Sequence, residues 1–170
     1  MNVMQSYLSP RGEMLLAAEE EGLTGVWFVG QKYFARTLSP EAKRGENPVL
    51  AMTRDWLDVY FSGREPDFFP PLRPAGTAFQ QAVWRLLLQV PYGTTTTYGE
   101  LARRLAGHSR RSVSAQAVGG AVGHNPILIL IPCHRIVGAR GNLTGYAGGW
   151  ERKKWLLERE GVEAGHGGIR

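Results

Sequence analysis

Between Asn125 and Val137 the chain reads NPILILIPCHRIV. Five consecutive apolar residues, Ile127 to Ile131, run into Pro132 and then Cys133, the single cysteine of the protein. An Ile-rich run bounded by an Asn-Pro turn and a proline predicts a buried strand. Its end would hold the thiol at the edge of a core. His134 and Arg135 follow at once, and positive charge favours the thiolate, the reactive form of cysteine. The plainer alternative is that a lone Cys is a small buried hydrophobe.

A chain of 170 residues is one domain or two small ones. A hydrophobic fraction of 43% with five Trp is ample for a packed core. The formal net charge of +5 is compatible with a polyanionic partner such as nucleic acid. One cysteine excludes an internal disulfide and a multi-cysteine zinc site, so no metal and no cofactor are expected. The start, MNVMQSYLSPRGE, has no apolar signal core, and no stretch approaches ~18 uninterrupted apolar residues. The expectation is a soluble, cytoplasmic protein that acts as a monomer and engages no membrane.

Val3–Tyr7, Met14–Glu19 and Leu23–Val29 read as short strands separated by turns, a small antiparallel meander. Ser39–Pro48 reads as loop. Val49–Phe61 has helical spacing, and Gly63 fits its stop. The segment from Glu65 to Gly76 holds Pro66, Pro70, Pro71 and Pro74 and predicts an extended linker. The predicted division is therefore residues 1–76, with the linker, and 77–170.

The second half opens with the capping box Thr77-Ala78-Phe79-Gln80. Phe79, Val83, Leu86, Leu87 and Val90 supply the apolar face, and Pro91-Tyr92-Gly93 ends the helix. Thr97-Tyr98-Gly99-Glu100 is a second box, opening a helix through Leu105 with Tyr98 beside free backbone N–H groups. A basic turn, Gly107–Arg111, leads to a helix over Ser112–Gly123 that is rich in Ala and Gly. Such a pair is either a plain packing unit or a helix-turn-helix. A helix with so little bulk cannot reach bases across a major groove and suits the minor groove. Gly138–Gly149 is a glycine-rich loop with Tyr146 as its aromatic residue, and Glu151–Glu160 reads as a helix closed by Gly161. The expected fold class is α/β (α+β). A small N-terminal antiparallel sheet with a helix precedes a mostly helical C-terminal domain of winged-helix or helix-turn-helix type.

PYGTTTTYGELA, AVGGAVGHNP, IPCHRIVG, LTGYAGG and KKWLLEREG occur in that order between Thr77 and Gly161. In these motifs the chain resembles the O6-alkylguanine-DNA alkyltransferases, also called methylated-DNA–protein-cysteine methyltransferases. The resemblance implies direct, single-use transfer of an alkyl group from O6-alkylguanine, and from O4-alkylthymine, in double-stranded DNA to Cys133. It implies that His134 and Glu160 activate the thiol, with a water between His134 and sulfur, and that Asn125 braces the turns. It places Tyr146, Ala147 and Gly148 at the guanine pocket and Tyr98 at the target phosphate. It puts Ser114, Ala115 and Gln116 on the DNA-facing helix, and Arg135 and Ile136 among the substrate and DNA contacts. Where this chain has Gln116 the family usually has an Arg that fills the base stack.

The residues also constrain the chemistry. Lowering a thiol pKa from ~8.5 to ~5 raises the thiolate fraction ~30-fold, about 2 kcal/mol. Nucleophilicity falls with pKa at a slope of ~0.4–0.5, cancelling most of that gain. The site must therefore also help the leaving guanine, and the resemblance to the family implies Tyr146 as the donor. In an extended chain, Cys133 and His134 would point to opposite faces, which favours the bridging water. The target lies inside a duplex, so the nucleotide has to be flipped out, with Arg103, Arg104, Arg110, Arg111 and Arg135 as candidate phosphate contacts. Three rivals remain at this level. One is a Cys-His hydrolase using His108, His124 or His166; another is a non-enzymatic, alkyltransferase-like damage binder, which would lack the cysteine; the third is a sequence-specific regulator, against which the small-residue helix argues.

Overall fold

The computed structural model describes residues 1–109, 112–143 and 145–163. The chain divides into two compact units. One comprises Met1–Ala75 with Pro126–Leu128, and the other Gly76–Asn125 with Ile129–Arg170.

In the first unit, β1 (Val3–Ser9), β2 (Gly12–Ala18) and β3 (Leu23–Phe28) form the expected meander. Alternation sets its faces. Met14 and Leu16 are buried while Glu13 is exposed, and Trp27 lies over Gly25, where a Cβ would stand 2.0 Å from the indole. The polar stretch expected to be loop contains a two-residue strand, β4 (Lys43–Arg44), paired parallel to β1 and giving the order β3-β2-β1-β4. Its side chains are exposed, so it carries no hydrophobic pattern from which pairing could be read. Helix α1 (Pro48–Phe61) starts at Asn47, whose side chain accepts from the Leu50 N–H, with Pro48 in the first turn. It lies against β1, β2 and β3 and buries Leu50, Trp56, Leu57 and Tyr60. The proline-rich segment is extended, and Leu72 bridges to Leu23.

In the second unit, α2 (Ala78–Leu87) has the full Thr77–Gln80 capping box. Val83, Leu86 and Leu87 are buried as expected, but Phe79 is exposed. Trp84 is buried as well, packing over Gly76 and donating its indole N–H to the Ala121 carbonyl at 2.9 Å. After the short strand β5 (Thr96–Thr97), α3 (Tyr98–Ser109) runs one turn past the expected Leu105. Thr97 caps it by accepting from the Glu100 N–H, while the Glu100 carboxylate turns outward to Arg103 and Arg104. Helix α4 (Ala115–Gly123) begins at Ser114, which caps the Ala117 N–H. Arg110 and Arg111 of the basic turn lie outside the described residues.

The largest correction concerns the apolar run itself. Every residue from Ile127 to Ile131 is buried, yet the run is not a strand. Ile127 makes a single bridge to Val26, and the chain then turns, with Ile129 at a φ of 71°. A continuous apolar run signals burial from all sides and leaves the backbone conformation open. Cys133–Arg135 forms one turn of 3-10 helix, followed by β6 (Ile136–Val137), which pairs parallel to β5. The extended geometry expected at Cys133 and His134 is therefore absent. Helix α5 (Trp150–Arg159) completes the unit, with Glu160 at its C-cap and Gly161 at a φ of 88°. No described helix is long and apolar enough to cross a membrane.

Candidate active site

Cys133 is 2% exposed. Asn125, also buried, donates its side-chain amide to the Ile131 carbonyl at 2.8 Å and so closes the turn that delivers the cysteine. The amide also lowers the thiol pKa by hydrogen bonding. Burial outweighs this help and pushes the Cys133 thiol up to about 11, with the nearby Lys153 ammonium pulling weakly the other way. The resting sulfur is thus a protonated thiol, contrary to a reading from its basic neighbours alone.

His134, Arg135 and Glu160 form a buried cluster. His134 Nε2 meets Glu160 Oε2 at 2.6 Å. Arg135 donates through Nε to Glu160 Oε1 at 2.8 Å and through Nη2 to Oε2 at 3.1 Å. The Gly93 N–H adds a bond to Oε1 at 3.0 Å. Gly93 has a φ of 79°, so the turn after α2 can present that N–H without side-chain strain. Burial alone would raise the Glu160 pKa, but hydrogen bonds from His134 and Arg135 and the charge of Arg135 hold it well below the usual carboxylate range. Burial keeps His134 below its ordinary value, although Glu160 opposes the shift.

Arg135 was expected among the phosphate contacts. It is instead buried, bound to Glu160 and to the Val90 carbonyl at 2.8 Å, with its guanidinium 5.6 Å from the Tyr92 ring. Ile136 is fully buried in β6, away from any solvent-facing contact. A basic residue next to a motif cysteine reads as surface charge in sequence; only the position of Glu160, 25 residues away, reveals the pair.

Tyr98, Tyr146 and Lys153 each lie within electrostatic reach of Cys133. The Tyr146 hydroxyl is buried and has no hydrogen-bond partner among the described residues. Burial and the electrostatic influence of Cys133 keep it protonated far above neutral pH. Burial likewise pushes Tyr98 up to about 12. Two glycines make room for these rings. A Cβ on Gly148 would fall 2.6 Å from Tyr146 Cε2, and one on Gly145 would fall 2.7 Å from the Tyr98 hydroxyl. Ala147, between them, is half-buried.

Lys153 is the residue that sequence reasoning missed. It is fully buried, with Nζ 5.9 Å from the centre of the Tyr98 ring. Burial draws its pKa down from 10.5 to about 8, with Cys133 acting in the opposite sense. The available signal was its phase on α5, where it lies three and four residues before the buried Leu156 and Leu157.

The expected DNA-facing residues Ser114, Ala115 and Gln116 are exposed at the start of α4. Gly119 of that helix lies close enough to Tyr98 that an added Cβ would be 3.8 Å from its ring. Arg103 and Arg104 are exposed on α3. Of the histidines offered for a hydrolase, His124 bonds the Gly120 carbonyl at 2.7 Å, the His108 side chain is not described, and His166 lies outside the described residues.

Two family descriptions match the chain. Residues 78–162 match the DNA-binding domain of 6-O-methylguanine DNA methyltransferase, and residues 2–74 match its ribonuclease-like domain. A methylated-DNA–protein-cysteine methyltransferase of Haemophilus influenzae is 43% identical over 158 residues, covering 92% of this chain and 84% of the relative. One from Methanosarcina acetivorans is 42% identical over 153 residues, covering 90% and 94%. Among solved structures, the O6-methylguanine methyltransferase of Mycobacterium tuberculosis superposes with a TM-score of 0.79 at 41% identity, covering 94% of this chain and 93% of that one. The M. tuberculosis OGT in complex with DNA gives 0.79 at 40% identity, covering 93% and 92%.

Proposed function

Because this chain belongs to the 6-O-methylguanine DNA methyltransferase family, we propose that it repairs DNA by taking the alkyl group of O6-alkylguanine onto Cys133, once per molecule. The observation that carries the reading is a buried thiol that directly precedes the buried His134–Glu160 pair in the chain and acts electrostatically on the buried Tyr146 hydroxyl. Sulfur attacks the alkyl carbon in line. The S–C bond forms, the C–O6 bond breaks, and its electron pair passes to the guanine. The thiol proton leaves toward His134, and the departing guanine takes up a proton in exchange.

A thiol with a pKa near 11 holds only ~10⁻⁴ of its population as thiolate at neutral pH, a deficit of about 5 kcal/mol. Proton removal therefore belongs to the reaction step rather than to the resting state, and a base has to act in it. Tyr146 donates to the charge developing at O6, in a site dry enough to strengthen that bond. The product is a thioether, and no second cysteine exists to resolve it.

The nucleotide reaches Cys133 by flipping out of the duplex. The small-residue helix α4 enters the minor groove, with Tyr98 turning the target phosphate and Gln116 occupying the gap. Exposed Arg103 and Arg104 take the phosphate-contacting part that buried Arg135 cannot. Binding is then largely independent of sequence and falls steeply with salt. A cytoplasmic location follows from an alkylated-DNA substrate. The test is incubation with duplex O6-methylguanine DNA followed by intact mass and peptide mapping. One methyl group on the Cys133 peptide is expected, with loss of transfer but retention of DNA binding in Cys133→Ala. Repeated turnover per protein molecule would overturn the reading and favour a hydrolase.

A further inference from the structure

Glu160 receives four hydrogen bonds, two from Arg135, one from Gly93 and one from His134. An ionised carboxylate only accepts, so His134 Nε2 must donate its proton there. The neutral imidazole then carries its lone pair on Nδ1. A buried carboxylate at 2.6 Å would by itself favour the imidazolium, which has no lone pair with which to accept a proton. Glu160 also sits at the C-cap of α5, where the helix dipole disfavours a negative charge. Both problems are met by the same side chain, the guanidinium of Arg135.

We propose that Arg135 is a positioning residue for alkyl transfer: by neutralising Glu160 it keeps His134 neutral and Nε2-protonated, so that Nδ1 faces the reaction as the base. This rests on the reading of Cys133 as alkyl acceptor and adds to it a residue that touches neither sulfur nor substrate. The groups around the imidazole are consistent in charge. Glu160 and Lys153 come from α5 and its cap, Arg135 and Cys133 from the same 3-10 turn, and Tyr146 from the glycine-rich loop, with Arg152 acting on Tyr146. Arg135 and Glu160 cancel, the thiol and phenol are neutral, and Lys153 adds positive charge or none. Without Arg135, an uncompensated carboxylate would face the ring. Arg135 also ties the carboxylate to the turn after α2, through the Val90 carbonyl.

The experiment follows His134 by ¹⁵N imidazole NMR against pH in the whole protein. It is paired with the pH profile of alkyl transfer from O6-benzylguanine for wild type, Arg135→Lys and Arg135→Met. The wild type should show the neutral Nε2–H tautomer at about pH 7. In Arg135→Met the acid limb of the rate profile should move toward alkaline pH by about one unit, a ~10-fold loss on that limb relative to its own plateau. Arg135→Lys, which keeps a charge without the fork, should restore most of that shift. A uniform loss at every pH, with the profile's shape intact, would mean that Arg135 only supports the fold and would overturn the proposal. Should Arg135→Met not fold, Arg135→Gln, which keeps a donor but no charge, takes its place in the rate profile, and the wild-type spectrum is read beside it. An imidazolium or an Nδ1–H tautomer at neutral pH overturns the proposal, and the Nε2–H form supports it. Failure of Cys133 to acquire an alkyl group, with the expected spectrum, would instead sink the functional reading and leave the tautomer assignment standing.

Discussion

Two sets of ionisable side chains in the second unit treat charge in opposite ways. At Glu160, a carboxylate is held ionised because Arg135, Gly93 and His134 converge on it. Around Lys153, burial favours the neutral form of each group. The ammonium falls to about 8, the thiol rises to about 11, and Tyr98 rises to about 12. The difference teaches that burial alone does not set a protonation state; what decides is whether an opposite charge and enough hydrogen bonds are buried with the group.

Removing the carboxylate should have the largest effect. Glu160→Ala leaves a buried guanidinium without its partner and should lower stability by about 3–5 kcal/mol, read by urea unfolding near neutral pH. A loss under about 1 kcal/mol would mean that the paired set is not held by pairing.

In the other set, Lys153→Met should stabilise the protein. The depressed Lys153 pKa means that the unfolded chain binds its proton more tightly than the fold does. Folding is thus penalised below pH 8, and the penalty is relieved as pH rises from about 8 toward 10.5. The upper bound is about 3 kcal/mol at neutral pH. Unfolding of wild type and variant at both ends of that window checks it, and an advantage that did not shrink at high pH would point to packing instead.

A smaller effect is expected in acid. His134 and Glu160 both have folded pKa values below their unfolded ones, so each contributes stability above its ordinary value that is lost on acidification. Melting temperature should begin to fall below about pH 6.5 through His134 and fall further below about 4.5 through Glu160. His134→Gln should abolish the first phase only.

The smallest change belongs outside both regions, at exposed Gln116. Gln lacks the stacking cation of Arg but keeps an amide for exposed base edges. Gln116→Ala should slow repair of duplex DNA and spare free O6-benzylguanine, while Gln116→Arg should preserve or improve duplex repair. Equal losses on both substrates after Gln116→Ala would place Gln116 in the pocket or the fold.

Sequence alone determined the features whose physics is local. The meander, the Thr77–Gln80 capping box, the stop at Gly63 and the burial of the run before Cys133 all follow from residues a few positions apart. The motif around Cys133 likewise pointed to the thiol. Tertiary structure decided the rest. It turned the Ile127–Ile131 run at a left-handed Ile129, paired β4 without any hydrophobic pattern, and moved Arg135 from an expected surface contact into the interior. It also buried Lys153 against the Tyr98 ring, within electrostatic reach of Cys133. The bonds that define the carboxylate cluster and its anchor span 25, 45 and 67 residues. An ionisable group's state depends on what lies within a few ångströms of it after folding, and those neighbours are set by packing rather than by spacing along the chain.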